Sequence, residues 1–183
     1  MRPERSVEGQ LVRLDALDET HAGGPYLAWL ADPHITRFLE VRFNRYDENR
    51  LRDYIKTEND RADAVLFGMF AATTSRLIGT IKLSNIHRQH RNCAVGLMIG
   101  DSSVWGKGYA TEAIALACRY AFEVLGLHRV VAGCYATNVA SARAFAKAGF
   151  VAEGRLRDDR LDGAEWVDTL LMARLNPAES PLS

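Results

Sequence analysis

The spacing of apolar residues changes period along this chain, and each change marks a boundary between predicted elements. Glu8 to Leu14 alternate apolar and polar, which predicts a half-buried strand. Pro25 to Leu30, with Tyr-Leu-Ala-Trp-Leu inside it, predicts a helix opened by proline and stopped before Asp32-Pro33. A second short helix is expected over His34 to Leu39. Asp47 is placed to cap a helix carrying Leu51, Tyr54 and Ile55 on one face. Ala64 to Ala72 and Leu77 to Ile86 read as a hairpin around the turn Thr73-Thr-Ser-Arg76, and the polar turn Arg88 to Asn92 leads to a further strand, Cys93 to Ile99. Ala110, Ile114, Ala117, Ala121 and Leu125 then follow a 3.6 period, giving a long helix that Gly126 ends. Arg129 to Tyr135 returns to strand. Asn138 caps a helix over Val139 to Ala148, closed by Gly149, and a last hairpin pairs Val151–Leu161 with Glu165–Leu175 around Asp162-Gly163.

Between the Cys93–Ile99 strand and the long helix lies Val104-Trp105-Gly106-Lys107-Gly108-Tyr109-Ala110-Thr111-Glu112-Ala113. Strand, glycine-rich turn and helix start gather several main-chain N–H groups around one point. The helix dipole makes that point attractive to anions. Glycine suits it because a phosphate approaches the main chain only where no Cβ intrudes. A Walker loop is ruled out, since Lys107 is followed by Gly108 and not by Ser or Thr. A dinucleotide fingerprint fails as well: Thr111 stands where the third glycine belongs, and no acidic residue follows about 20 positions on. The loop is a candidate holder of some other phosphorylated ligand.

Composition narrows the class. A chain of 183 residues suits one domain with a full core, expected over residues 1–175 with a flexible tail over 176–183. The 23 Lys and Arg balance the 23 Asp and Glu, so nucleic acid is not an expected partner. No apolar run nears the ~20 residues of a membrane span, and the first residues lack the apolar core of a signal peptide. Cys93, Cys118 and Cys134 are an odd number set in periodic apolar segments. They read as reduced core residues of a cytoplasmic protein.

Trp105-x-x-Gly108-x-Ala110 resembles the pyrophosphate loop of the GNAT superfamily of acetyl-CoA-dependent N-acetyltransferases. The spelling Trp-Gly-Lys-Gly-Tyr-Ala-Thr-Glu-Ala is similar to the branch that contains ribosomal-protein N-terminal acetyltransferases. The superfamily usually carries Arg or Gln in place of Trp105, a departure which that branch shares. The predicted element order matches the family over nearly the whole chain. The resemblance implies a mixed α/β (α+β) fold, its mostly antiparallel sheet splayed at the centre and flanked by helices on both faces. It further implies that main chain near Leu97 and Ile99 pairs with the pantetheine arm of acetyl-CoA. In the loop that Trp105 opens, Gly106, Lys107, Gly108, Tyr109 and Ala110 would surround the pyrophosphate.

A second motif, Asn138-Val-Ala-Ser141-Ala-Arg-Ala-Phe145-Ala-Lys-Ala-Gly149-Phe150, resembles the family's Asn-x-x-Ala/Ser-x-x-x-Tyr-x-x-x-Gly-Phe. Asn138 would cap the helix and hydrogen-bond the cofactor. Many relatives place a Tyr where Phe145 stands, to protonate the departing thiolate, and Phe145 has no proton to give. Ser141, one turn earlier on the same face, is the catalytic candidate that the resembling branch implies. Relatives often keep a Glu at the position of Ala94, so no general base carries over; Asp101 and His87 are replacements by proximity only. His87-x-x-His90-x-x-Cys93 has helical spacing on a strand–turn–strand segment, and no metal is expected. Arg42, Phe43, Arg45 and Tyr46 would form one wall of the acceptor site, and Arg157, Asp159 and Trp166 the other.

These readings converge on an acyltransferase that passes acetyl from acetyl-CoA directly to a primary amine. The acceptor is expected to be a protein N-terminus or a small amine such as an amino sugar, and the resemblance allows a homodimer. On sequence alone, a non-catalytic acyl-CoA-binding module and transfer to a hydroxyl stay open.

Overall fold

The alternating segments become eight strands: β1 (Val7–Glu8), β2 (Val12–Ala16), β3 (Val65–Ala71), β4 (Leu77–His87), β5 (Asn92–Ile99), β6 (Arg129–Tyr135), β7 (Val151–Asp162) and β8 (Glu165–Leu175). The helices are α1 (Gly24–Ala31), α2 (Pro33–Thr36), α3 (Glu48–Asp60), α4 (Tyr109–Glu123) and α5 (Val139–Lys147), with 3-10 turns at Glu19–Ala22, Glu40–Phe43 and Ser102–Val104. This is a computed structural model, and it describes residues 1–3 and 6–179.

All eight strands form one sheet in the order β1-β2-β3-β4-β5-β6-β8-β7. Neighbours are antiparallel except β5 and β6, which run parallel because α4 carries the chain back between them. Helices cover both faces, as predicted. Phe67 and Met69 pack in the core shared with α4, whereas Leu66 packs with Leu51 and Ile55 of α3. Every residue of β3 is therefore buried. The fully buried Ala113, Ala117 and Ala121 let α4 lie close to the sheet, and Tyr120 meets the Phe67 ring edge-on at 5.0 Å.

Three segments differ from the sequence reading, each for a local reason. The predicted Glu8–Leu14 strand is broken into β1 and β2, because the Glu112 carboxylate draws off the N–H groups of Gln10, Leu11 and Val12. The helix expected over His34–Leu39 is the shorter α2, opened by Pro33 and capped by Asp32, followed by the Glu40–Phe43 turn. The Glu19–Ala22 turn, held by a capping box on Asp18, carries no periodic apolar signal. Of the tail, Asn176 donates its N–H to the His128 carbonyl at 2.8 Å, and Glu179 bonds His128 and Arg91; residues 180–183 lie outside the described residues.

Candidate active site

The site begins where the sheet stops being continuous. Asn92, Cys93 and Ala94 pair with Arg129, Val130 and Val131, and beyond them β5 and β6 make no pairing among the described residues. β5 stays with β4 as far as Ile99, while β6 stays with β8 as far as Tyr135. A gap therefore opens between the two strands. The Gly100 N–H donates to the Ile78 carbonyl at 3.0 Å. Hydrogen-bonded and free positions alternate along an antiparallel strand, so Leu97 and Ile99 turn their N–H and C=O groups away from β4, towards the gap. The Ile99 carbonyl is already taken by the indole Nε1–H of Trp105, at 3.1 Å. Trp105, 47% exposed, thus stands at the mouth of the gap.

The loop that follows β5 ends on Gly108, the N-cap of α4, at φ 91° and ψ −10°. No side chain caps this helix. The N–H groups of Tyr109, Ala110 and Thr111 have no carbonyl one turn back and point out of the helix start. Gly106 also has positive φ, and a Cβ there would meet nothing within 4 Å. A Cβ on Gly108 would reach Leu11 Cδ1 at 3.5 Å, an ordinary contact. The protein around Gly108 leaves room for a Cβ, so on the protein side the requirement for glycine at 108 is conformational. Lys107 is exposed beside this loop.

Glu112, in the first turn of α4, is a part of the site that periodicity could not reveal. Its Oε1 accepts from Gln10 at 2.9 Å, and its Oε2 from Leu11 and Val12, both at 2.7 Å. One carboxylate thereby fastens the break between β1 and β2 to the helix start. A second missed feature is a cleft of about 500 Å³ bordered by Gly108 and Thr111 on one side and by Lys147 and Arg174 on the other. The two cations flank the route away from the loop.

On the far wall, α5 packs against β6. The Asn138 Oδ1 accepts the Ser141 N–H at 3.1 Å, as expected of its cap. The Ser141 side chain lies beside the Cys134 thiol of β6. Phe145 is buried edge-on against Phe150 at 5.0 Å and belongs to the core. All three cysteines are buried; burial pushes Cys93 and Cys118 up to about 12 and raises Cys134 as well. A thiol held in its neutral form is a poor nucleophile.

The two predicted acceptor walls meet across the end of β6. Arg160 bonds Glu40 at 3.2 Å, Arg37 bonds Asp162 at 3.0 Å, and Arg42 reaches the Leu161 carbonyl. Tyr135, not singled out from the sequence, lies between them, donating to Glu40 at 3.0 Å and accepting from Arg42 at 3.1 Å. Burial raises its pKa, so it stays protonated. Phe43 and Trp166 are exposed, Tyr46 stacks edge-on with Tyr54, and Asp159 accepts from Thr169 at 2.7 Å. Asp101 caps the Ser102–Val104 turn; the Ser103 hydrogen bonds, with Arg76 alongside, hold its carboxyl below the usual range. That makes Asp101 a weak base. His87 stacks on His90 at 4.3 Å in the β4–β5 turn, at the other end of β5 from the gap.

Uncapped amides in front of an opened sheet fit a diphosphate carrying an extended, amide-bearing arm. The comparisons with known proteins agree. The family model described as acetyltransferase (GNAT) domain matches residues 12–151. The chain is 36% identical over 148 residues to the probable N-acetyltransferase YjcK of Bacillus subtilis (strain 168), across 74% of this chain and 81% of that one. It is 32% identical over 123 residues to the ribosomal protein uS5-alanine N-acetyltransferase of Escherichia coli (strain K12), across 66% of this chain and 62% of that one. The spermidine N-acetyltransferase of Vibrio cholerae, solved in complex with CoA and spermine, superposes with a TM-score of 0.80 at 22% identity, over 91% of this chain and 96% of that chain. The ribosomal-protein-S5-alanine acetyltransferase of Vibrio fischeri gives 0.82 at 22% identity, over 97% and 100%. The two structural likenesses speak for the fold, and the family match speaks for the chemistry: the chain belongs to the GNAT acetyltransferase family, acyltransferases that use acetyl-CoA as co-substrate.

Proposed function

We propose that this chain transfers acetyl from acetyl-CoA directly to a primary amine at the mouth of the β5–β6 gap. One observation carries the reading: the sheet opens beyond Ala94 and Val131 in front of a helix start that no side chain caps. The bound co-substrate supplies a thioester carbonyl and a thiol leaving group. Main-chain groups of Leu97 pair with its extended arm, joined by those of Ile99 once the Trp105 indole swings off. The N–H groups from Gly106 to Ala110, with Lys107 beside them, hold the diphosphate. Asn138 offers its Nδ2, since its Oδ1 is committed to the cap. Ser141 donates a hydrogen bond to the departing sulfur. With all three thiols buried and neutral, the amine itself makes the attack, and catalysis is mainly positioning. We place the protein in the cytoplasm on the strength of those unoxidised core cysteines. No helix among the described residues is long and apolar enough to cross a membrane.

The acceptor is a protein N-terminus or a small amine. An alanyl peptide and spermidine, the substrate types named for two of the relatives above, are the first to try, with an amino sugar third. Thiol release from acetyl-CoA across this panel, beside calorimetric binding of acetyl-CoA, tests the reading; binding without turnover on any amine would refute it. Ser141→Ala is expected to lower kcat about tenfold, the worth of one hydrogen bond near 1.4 kcal/mol, while acetyl-CoA affinity holds. Unchanged turnover would remove Ser141 from the scheme.

A further inference from the structure

A polar cluster lies on the α1–α3 face of the sheet, one strand from the gap. Leu66, Lys82 and Gly96 stand opposite one another across β3, β4 and β5, and residues paired in this way share a face. Leu66 packs beneath α1 and α3, so Lys82 and Gly96 look towards those helices. Gly96 is exposed and a Cβ built on it would touch nothing within 4 Å, so the space over β5 beside the gap is open. Lys82, 30% exposed, borders that space. Its Nζ donates to the Tyr54 hydroxyl at 3.4 Å and lies 3.5 Å from Glu58 Oε1.

Glu58 is the anomaly. It follows Leu51 and Ile55 on the buried face of α3, at a position where the helical period calls for an apolar side chain. Its side chain is 8% exposed, and its Oε2 is buried with no hydrogen-bond partner among the described residues. Such a group is destabilising where it stands, which asks for a function. Meanwhile Ala94, two residues before Gly96 and on the same face, leaves β5 without a proton acceptor beside the gap. The helix overhead brings a carboxylate to the patch that the strand leaves bare.

We propose that the Lys82–Glu58 pair takes the proton that the acceptor amine must lose before it attacks. This rests on the acetyl transfer proposed above. Lys82 receives a proton from the acceptor nitrogen as it passes one of its own to Glu58, so Lys82 ends charged as it began and Glu58 ends as the neutral acid. The freed nitrogen bonds the acetyl carbon and the C–S bond breaks. The second nitrogen proton goes to the departing sulfur, and Glu58 later returns its proton to solvent. The charge on Lys82 also disfavours the ammonium form of an acceptor beside it. Facing Glu58 are Lys82 from β4, Arg61 at 3.6 Å, Tyr54 from α3, Tyr26 from α1 and the Met1 amino group. Burial keeps both tyrosines protonated.

Thiol release measured against pH, with an alanyl peptide and with spermidine, tests this on the parent chain, Lys82→Arg and Glu58→Gln. Arginine keeps the charge and the ion pair but cannot give up a proton. Lys82→Arg is expected to lower kcat ~100-fold at pH 7, a typical share for acid–base catalysis. The loss should shrink as the pH nears the acceptor's own pKa, with the KM for acetyl-CoA within about twofold of parental. Glu58→Gln should behave likewise; should it fail to fold, Lys82→Arg decides alone, its fold checked by its melting curve. Parental kcat in Lys82→Arg, or a loss equal at every pH, overturns the proton route. A parent chain that binds acetyl-CoA by calorimetry yet releases no thiol with the alanyl peptide, spermidine or the amino sugar overturns the underlying acetyl transfer, and this route with it.

Discussion

Gly108→Val is expected to cost the chain its grip on acetyl-CoA while leaving the fold in place. Gly108 sits at φ 91°, where a β-branched residue is strained by about 1–2 kcal/mol. A Cβ methyl at this position would find only Leu11 at 3.5 Å, so alanine fits the space; the two γ-methyl groups of valine need further room. The loop answers by leaving the left-handed region. The N–H groups at the start of α4 then no longer converge. Each charge-assisted hydrogen bond to phosphate is worth about 1.5–3 kcal/mol, so losing two weakens binding by on the order of 3 kcal/mol, or ~100-fold in Kd. Calorimetric titration with acetyl-CoA measures this, and a circular dichroism spectrum confirms that the variant is folded. Gly108→Ala should fall between parent and valine. Parental affinity in the valine variant would show that the coenzyme's diphosphate is held elsewhere.

Glu112→Ala is expected to be the most destabilising single truncation around the site. Three main-chain N–H groups, of Gln10, Leu11 and Val12, converge on this carboxylate at 2.7–2.9 Å. Its position in the first turn of α4 also suits the positive end of the helix. The group is half-buried, so each bond is discounted to about 1 kcal/mol and the three together to about 3 kcal/mol. In a chain of this length that lowers Tm by roughly 6–12 °C. Glu112→Gln keeps one acceptor oxygen and should lose about half as much. Thermal melts without ligand decide; a fall of less than about 1 °C would show that the N–H groups find water at no cost.

The fold was legible because its signals are local. The 3.6 period of α4, the Asp162-Gly163 turn and the caps at Asp47 and Asn138 each lie within a few residues of the element they define. Strand β6 has the limits its alternation predicts, Arg129 to Tyr135. Reading failed where a partner is distant in sequence. Glu112 reads as an ordinary first-turn glutamate until Leu11, 101 residues earlier, is seen bonded to it. Glu58 reads as one of several polar residues on a strongly amphipathic helix until Lys82 is found beside it across the sheet. Tyr135 ends an apolar strand and looks like core until Glu40 and Arg42 close over its hydroxyl. The glycine loop and the Asn138–Ser141 cap were found early because the residues are contiguous and the chemistry is main-chain. The two segments expected to wall the acceptor could be given only as a pair, since which of their charges meet depends on how α2 and the last hairpin converge.

Among the described residues, only the short ladder joining Asn92–Ala94 to Arg129–Val131 pairs the two halves of the sheet. Beside the opening, β5 stays paired with β4 as far as Ile99 and β6 with β8 as far as Tyr135, and α4 bridges the two halves from above. Amide protons of β5 that look into the opening should therefore trade with deuterium readily in the empty protein. A long amide-bearing guest lying there would furnish the missing rungs, so its affinity and the stiffening of the whole sheet are one free energy read by two instruments.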